Sequence, residues 1–283
     1  KFNPETGERP VKEYPAARYQ DVFGQVLCEL AGKDQKVVGI PPAMATGSGM
    51  SGFAAKFPDR FFDVGIAEEH AATFAAGLAA GGMKPYCVIY SSFAQRAYDE
   101  IIHDIALQHL NVVLCLDRAG LVGEDGATHQ GAFDMASLRC IPGTIIAAPK
   151  DEIELKRLLY TGAGIKNGPF VIRYPRGLGE GKDWMNAAPD PFEIGKGEKI
   201  AEGEEIAILA LGPVANRAAE AAERLRKETG RGPAIFNVRF LKPIDAGILE
   251  EAARFRNILT LEDGCLKGGL FSEVSEYVAG HGL

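Results

Sequence analysis

Short apolar runs alternate with amphipathic stretches along most of this chain. Runs rich in β-branched and aromatic residues predict strands at 37–40, 61–64, 85–90, 111–117, 144–148 and 170–174. Helices are predicted between them, at 18–31, between Gly65 and Gly81, at about 93–108 and from Asp151 onward. Such a regular alternation predicts an α/β fold, with a mostly parallel sheet flanked by helices on both faces.

A change in composition at 177–203 divides the chain, because Gly, Pro, Asp and Lys dominate there. The alternation then restarts, with strands predicted at 205–211, 234–238 and 257–261 and helices at 213–229, from 245 and near 269–279. We therefore expect a Pro-rich linker at 1–17, a first domain at 18–180, a second linker at 181–203 and a smaller α/β domain at 204–283, which is incomplete at its end.

The composition limits the kinds of binding partner and the cellular compartment that we expect for this protein. The net charge of −7 over 283 residues argues against a nucleic-acid or anionic membrane partner, since either requires a basic surface. Five cysteines without a C-x-x-C pair indicate free thiols in a reducing compartment, and we expect a cytoplasmic protein. No apolar run approaches the roughly 18 residues of a membrane span.

The segment 59–82 reads as a strand, a turn and an Ala-rich helix, and it carries Glu68 and Glu69 in the first helical turn. Acidic side chains at this position complement the helix macrodipole, which is a purely structural explanation. Alternatively, one of the two carboxylates points into a cleft at the carboxyl end of the sheet, where α/β proteins bind their ligands.

Residues 47–52 match the pattern G-x-G-x-x-G, but they make a poor dinucleotide fingerprint. Two prolines and four further residues separate the pattern from the preceding strand, and only about two helical turns fit before Pro58. We interpret this segment as a flexible loop beside the sheet.

A Gly-rich loop at 117–134 follows a predicted strand and concentrates charged residues. A polar surface loop would explain them, and so would a metal site at Asp125 and His129, although two ligands in a loop make a poor site. Guanidinium groups after neighbouring strands could instead bind one phosphate, and those available are Arg118, Arg173 and Arg176. Tyr90 and Phe93 would present aromatic faces to the same cleft, although such residues usually pack in the core.

Five segments together resemble one enzyme family. They are DRFFDVGIAEEHAATFAAGL (59–78), YSSFAQRAY (90–98), DRAGLVGEDGATHQGAFDMASLRCIP (117–142), RYPRG (173–177) and NVRFLKPID (237–245). They are similar to the 1-deoxy-D-xylulose-5-phosphate synthases, which use thiamine diphosphate. The resemblance implies a transketolase-like pyrimidine-binding domain followed by a transketolase C-terminal domain. It also implies a homodimer that condenses pyruvate with glyceraldehyde 3-phosphate and releases carbon dioxide.

The resemblance assigns roles to eight residues. Glu68 matches the glutamate that hydrogen-bonds the aminopyrimidine and activates the cofactor, and Phe93 matches the aromatic residue that stacks on that ring. His129 matches the proton donor to the acceptor aldehyde, and Glu69 is left without a catalytic role. The remaining matches are Tyr90, Arg96 and Asp125 in the substrate channel and Arg118 and Arg176 at the acceptor's phosphate.

The family holds the diphosphate and its Mg²⁺ through a G-D-G…N motif in another domain, and no G-D-G occurs here. We therefore expect the second and third domains of a longer enzyme, inactive alone, separated by cloning, proteolysis or a natural split into subunits. Two alternatives remain. The chain could come from a transketolase or a 2-oxoacid dehydrogenase β-subunit, or it could be a non-catalytic dimerisation module.

Overall fold

The computed structural model describes residues 4–7 and 14–283. Of the linker predicted at 1–17, residues 1–3 and 8–13 lie outside the described residues. The first half of the chain alternates strands and helices as expected. Its elements are α1 (Tyr19–Lys33), β1 (Val37–Ile40), α2 (Ser51–Lys56), α3 (Glu68–Ala80), β2 (Lys84–Tyr90), α4 (Tyr98–Glu100), β3 (Val113–Asp117), α5 (Asp134–Arg139), β4 (Ile145–Ala147), α6 (Glu152–Gly164) and β5 (Phe170–Arg173).

The second half contributes eight further elements. They are β6 (Glu198–Ala201), β7 (Ile206–Ala210), α7 (Val214–Thr229), β8 (Ala234–Asn237), β9 (Phe240–Lys242), α8 (Ala246–Ala252), β10 (Asn257–Leu261) and α9 (Leu270–His281). The strands form a six-stranded sheet in the order β1-β2-β3-β5-β4-β9 and a four-stranded sheet in the order β10-β7-β8-β6. The predicted α/β architecture of mostly parallel sheets is confirmed, because only the β4–β9 and β6–β8 pairs are antiparallel among the described strands.

Both faces of the larger sheet are buried. Successive strand residues such as Cys87 and Val88 point to opposite faces of the sheet, as the two-residue repeat of a strand requires. One face packs against α1 and α6, and the other packs against α3 and the helical segment around α4. That segment, predicted as one helix, consists of a 3₁₀ turn at Ala94–Ala97, then α4, then a π-helical stretch at Ile101–Ala106.

The strand predicted at 61–64 is wrong. Only Phe61 forms a bridge, to Gly39 of β1, and Phe62 N donates to the Gly39 carbonyl at 3.0 Å. The segment leaves the sheet because the Asp63 carboxylate accepts hydrogen bonds from the backbone N–H groups of Ala43 and Gly65, both at 2.9 Å, which turns the chain towards α3.

The segment 47–52, predicted as a flexible loop beside the sheet, is a loop only at 47–50, which packs against α1, while residues 51–52 begin α2. A Cβ atom on Gly24 of α1 would lie 2.0 Å from the Gly49 carbonyl oxygen, and one on Gly49 would lie 2.0 Å from the Gln20 carbonyl oxygen. The two backbones can approach this closely because both positions are glycine. The helix α2 begins within the G-x-G-x-x-G pattern at Ser51 and has only six residues, which is too short for the helix of a dinucleotide fold.

The two halves are interlocked. Part of the segment predicted as a linker, Glu198–Ala201, forms β6 in the smaller sheet, and β9 pairs with β4 of the larger sheet. A buried ion pair reinforces this junction, since Arg239 Nε and Nη2 both lie 2.8 Å from Glu154 Oε1 of α6. Because these contacts cross from one half to the other, the larger sheet needs residues from both.

Candidate active site

Glu68 is the first residue of α3 and is 2% exposed, and it faces Arg96, which follows the carboxyl end of β2. Its carboxylate accepts two hydrogen bonds from Arg96, whose Nε and Nη2 atoms lie 3.0 Å from Oε2 and Oε1. The N-cap residue Ala67 offers no side-chain acceptor, so the positive end of the α3 dipole is complemented by the two first-turn carboxylates, Glu68 and Glu69. Glu68 can therefore both complement the helix dipole and bind a ligand.

A short aromatic stack lies beside this ion pair. The rings of Tyr90 and Phe93 are 5.5 Å apart at 20°, and His129 approaches Phe93 edge-on with centroids 5.0 Å apart. The Arg96 guanidinium carbon lies 4.7 Å from the centroid of the Phe93 ring. Arg96 therefore occupies the slot between the Glu68 carboxylate and the Phe93 ring.

Arg118 follows β3 and is held by several groups. Its backbone is left-handed, with φ of 60°, and its guanidinium carbon lies 4.0 Å from the centroid of the Tyr90 ring. Nη1 donates to the Gly47 carbonyl at 2.9 Å and forms an ion pair with Asp117. Gly47 is required at its position, because a Cβ there would lie 2.4 Å from the Tyr90 hydroxyl oxygen.

Asp117 ends β3 and is completely buried. Burial raises the pKa of its carboxyl group to about 7, although Arg118 favours the charged form. Burial also raises the pKa of the Tyr90 phenol. Near neutral pH the site therefore contains a neutral phenol and a buried carboxyl group that is close to its titration midpoint.

Guanidinium groups converge on a neighbouring cavity of about 310 Å³, which is lined in part by Arg18, Arg118 and Arg176. Asp125 sits between two of them. Its Oδ2 atom is 2.8 Å from Arg176 Nε and 3.9 Å from Arg118 Nε. Arg176 also donates to Glu124 at 2.6 Å. This arrangement suits an anion that displaces the Asp125 carboxylate from Arg176, since a phosphate offers the same guanidiniums more acceptor oxygens.

The structure brings the eight residues selected from the sequence into one continuous set of contacts. They connect in the order Glu68, Arg96, Phe93, Tyr90, Arg118, Asp125 and Arg176, with His129 against Phe93. The suggestion that Arg173 contributes to the same phosphate site is wrong. Arg173 is 4% exposed, and its Nε atom donates to the buried Asp134 carboxylate at 2.8 Å.

Sequence reasoning gave no role to Gly47, whose carbonyl oxygen orients Arg118, or to the Asp117 carboxyl group. The available signals were a glycine after a strand and an acidic residue that ends an apolar run. Over residues 4–7 and 14–283, no group of three or more His, Cys, Asp or Glu side chains is arranged to hold a metal ion. No helix within these same ranges has the length and apolar character needed to cross a membrane.

Two family models match this chain. Residues 16–181 match the transketolase pyrimidine binding domain, and residues 195–283 match the transketolase C-terminal domain. The first match contains all eight residues of the candidate site.

Similar curated proteins include the 1-deoxy-D-xylulose-5-phosphate synthases of Bacteroides thetaiotaomicron and Thermomicrobium roseum. The first is 53% identical over 284 residues, which cover 99% of this chain and 44% of that protein. The second is 52% identical over 267 residues, which cover 94% of this chain and 42% of that protein. The chain thus spans less than half the length of these relatives.

Two solved transketolase structures are also similar to this chain. A chain described as a split gene transketolase, inactive beta4 tetramer, superposes with a TM-score of 0.82 at 33% identity, over 94% of this chain and 86% of that one. Transketolase from Leishmania mexicana shares the fold, with a TM-score of 0.72 at 17% identity, over 92% of this chain and 40% of that one. This chain therefore belongs to the transketolase family and contains its pyrimidine-binding and C-terminal domains.

Proposed function

We propose that this chain supplies the pyrimidine-binding side of a thiamine-diphosphate-dependent 1-deoxy-D-xylulose-5-phosphate synthase, which condenses pyruvate with glyceraldehyde 3-phosphate. The observation that carries this proposal is the pairing of a buried helix-terminal carboxylate, Glu68, with an aromatic ring, Phe93, across one slot. The identity of about half the residues to named synthases over nearly the whole chain supports the substrate pair.

The residues of the slot fit an aminopyrimidine ring. The Glu68 carboxylate can accept a hydrogen bond from a protonated ring nitrogen, and Phe93 can stack on the ring face. Both groups are engaged by Arg96, whose side chain is 44% exposed, so a ring that used both would take the place of the Arg96 guanidinium. When bound, thiamine diphosphate supplies a nucleophilic thiazolium carbon and an electron sink for decarboxylation. Glu68 assists by holding the proton at the pyrimidine ring nitrogen.

The acceptor's phosphate fits the cavity beside Arg118 and Arg176. Among the described residues Arg118 Nε and the Tyr90 hydroxyl are buried without a hydrogen-bond partner, which is the state expected of donors that serve a ligand. Asp125 lies between the two arginines, and His129 lies against Phe93. This proximity supports a role for His129 in donating a proton to the aldehyde oxygen of the acceptor.

The remaining assignments belong to the same proposal and are supported by the resemblance to the synthases. Mg²⁺ binds with the diphosphate outside this chain, the assembly is a homodimer, and the protein is cytoplasmic, in keeping with five free cysteines. The chain alone has no turnover. The similar split gene chain, which is described as an inactive tetramer, supports both the self-association and the lack of activity.

The test is turnover by a protein that combines this chain with a diphosphate-binding domain, supplied as a fusion or a separate subunit. Pyruvate and glyceraldehyde 3-phosphate should give 1-deoxyxylulose 5-phosphate and carbon dioxide. Preference for a ketose phosphate donor would identify a transketolase, and transfer of the acyl group to a lipoyl acceptor would identify a 2-oxoacid dehydrogenase. A fully assembled protein without any turnover would favour the non-catalytic dimerisation module.

A further inference from the structure

The segment 118–131, which we name the site loop, is closed on itself. Gly120 and Gly131 exchange two backbone hydrogen bonds of 2.8 Å at its neck. The Gln130 side chain makes two hydrogen bonds inside the loop. Its Oε1 atom accepts from Val122 N at 2.9 Å, and its Nε2 atom donates to the Gly126 carbonyl at 3.1 Å. Because the loop is tied in this way, the orientation of its two candidate site residues, Asp125 and His129, depends on the neck as well as on the ion pairs of Asp125 and Glu124 with Arg176.

A carboxylate from the second half of the chain holds this neck. Asp263 lies between β10 and α9, and its Oδ1 and Oδ2 atoms accept from the backbone N–H of Leu121 at 3.2 and 3.3 Å. The contact is close, because a Cβ atom on Gly120 would lie 1.9 Å from Asp263 Oδ2. The Leu121 side chain is 71% exposed and adds little packing, so the carboxylate is the principal anchor at this point.

The backbone of Asp263 is fixed in turn by the first half of the chain. Arg173 Nη2 donates to the Asp263 carbonyl at 2.8 Å, while Arg173 Nε pairs with Asp134. Asp134 begins α5, the helix that follows the site loop. The buried Arg173 therefore connects the end of β5, the far side of the site loop and the Asp263 segment in one rigid unit.

We propose that Asp263 is a positioning residue, which sets the site loop from outside the pyrimidine-binding domain. This inference rests on the proposed function, because the loop orients Asp125 and His129 towards the acceptor. Asp263 itself touches neither Glu68 nor Phe93 and acts only through the neck of the loop. Through it, the C-terminal domain controls acceptor binding without contacting the acceptor.

Hydrogen–deuterium exchange of the 283-residue chain tests the anchoring. Asp263→Ala should raise exchange in peptides of the site loop about tenfold or more, as expected for losing a hydrogen bond to a charged acceptor. Asp263→Asn keeps one acceptor oxygen and should have a smaller effect. The control is Glu262→Gln, since the Glu262 carboxylate caps α9 through Leu270 N at 2.8 Å, so exchange should change at α9 and not in the loop. Unchanged loop exchange in both Asp263 variants, with the fold intact, would overturn the proposal.

Kinetics of the assembled enzyme separate positioning from general destabilisation. In Asp263→Ala we expect KM for glyceraldehyde 3-phosphate to rise about tenfold, while exchange of the cofactor's C2 proton, which depends on Glu68, keeps its rate. An equal loss of both would mean a merely structural role and would also overturn the proposal. If the wild-type enzyme shows no synthase turnover, the proposed function fails, and the loop exchange still decides whether Asp263 holds the loop.

Discussion

Arg96 and Glu68 face each other through two parallel hydrogen bonds of 3.0 Å, yet the Glu68 side chain is 2% exposed and that of Arg96 is 44% exposed. The pair thus joins a fixed, desolvated carboxylate to a guanidinium that has solvent on one side. A ligand that satisfies the carboxylate can replace the arginine without leaving a buried charge unpaired, because Arg96 can turn into water.

Glu68→Gln should abolish turnover of the assembled enzyme while leaving the free energy of unfolding within about 1 kcal/mol of the wild-type value. The amide keeps an acceptor for Arg96 but cannot favour the protonated pyrimidine ring. The rate of exchange of the cofactor's C2 proton, followed by NMR, checks this directly. Near-normal exchange in the variant would rule out Glu68 as the activating group.

Arg96→Met should strengthen binding of thiamine to the isolated chain by roughly fivefold, because the ring no longer competes with an ion pair worth about 1 kcal/mol. Calorimetric titration measures the affinity. Arg224→Met, at an exposed position on α7, provides the control and should not change it. Weaker binding to the Arg96 variant would show that the guanidinium supports the ring and does not occupy its place.

Asp117 makes stability depend on pH. The folded state raises the pKa of its carboxyl group from 3.8 to about 7, so the folded protein binds this proton more tightly than the unfolded chain does. Its contribution to stability therefore falls between about pH 4 and pH 7 and is constant above that range. Asp117→Asn cannot ionise, so its unfolding free energy relative to wild type should rise by a few kcal/mol from pH 4 to pH 8.

Urea unfolding at several pH values measures this difference, and the exposed Asp190→Asn variant provides the control. A difference between Asp117→Asn and wild type that stays constant with pH would contradict the assignment of the raised pKa to Asp117.

Asp134→Ala should lower the free energy of unfolding by about 3–5 kcal/mol, because it leaves the Arg173 guanidinium buried without its carboxylate. The matched control is Glu220→Ala, which removes an exposed partner of Arg217 and should cost less than about 1 kcal/mol. Chemical denaturation compares the two. Similar costs would mean that Arg173 escapes to solvent, and its exclusion from the phosphate site would then need revision.

The isolated chain should fold but bind thiamine diphosphate weakly and independently of Mg²⁺. It offers the pyrimidine a stacking ring and one carboxylate, whereas most of the cofactor's charge lies on the diphosphate, and each lost charge-assisted contact costs roughly 1.5–3 kcal/mol. Calorimetry with and without Mg²⁺ checks this. Micromolar, Mg²⁺-dependent binding would reveal a diphosphate anchor within this chain.

Two strands match their predicted limits. β1 is a short, completely buried hydrophobic segment, as expected for a parallel strand of an α/β sheet. β10 is a partly exposed edge strand, and three of its five residues are aliphatic. β6 was missed because its four residues, Glu198–Ala201, are half-buried and partly charged, as is common for an outer strand. β9 was also missed, because it has only three residues and its partner β4 lies about a hundred positions earlier in the chain.

The residues of the candidate site likewise include some that could be predicted from the sequence and some that could not. Side chains that follow neighbouring parallel strands, such as Tyr90 and Arg118, could be grouped from topology alone, since those strand ends meet at one end of the sheet. The contact of Asp263 with Leu121 spans 142 positions and joins two loops, and no periodic pattern records it. Arg173 ends β5 and Arg176 follows it closely, so topology predicts that both lie at the same end of the sheet. Only the buried contact of Arg173 with Asp134 distinguishes them.

The pairing of β9 with β4 has a practical consequence for dissecting this protein. β4 has β5 on one side and β9 on the other, so a fragment that stops at 180 would present a row of unpaired N–H and C=O groups to solvent. Such a fragment should aggregate when produced alone, whereas the chain through Leu283 pairs β4 with β9 and also β7 with β10 and should stay soluble. A protease that cuts within 182–197 should for the same reason leave two pieces that co-elute as a nicked complex.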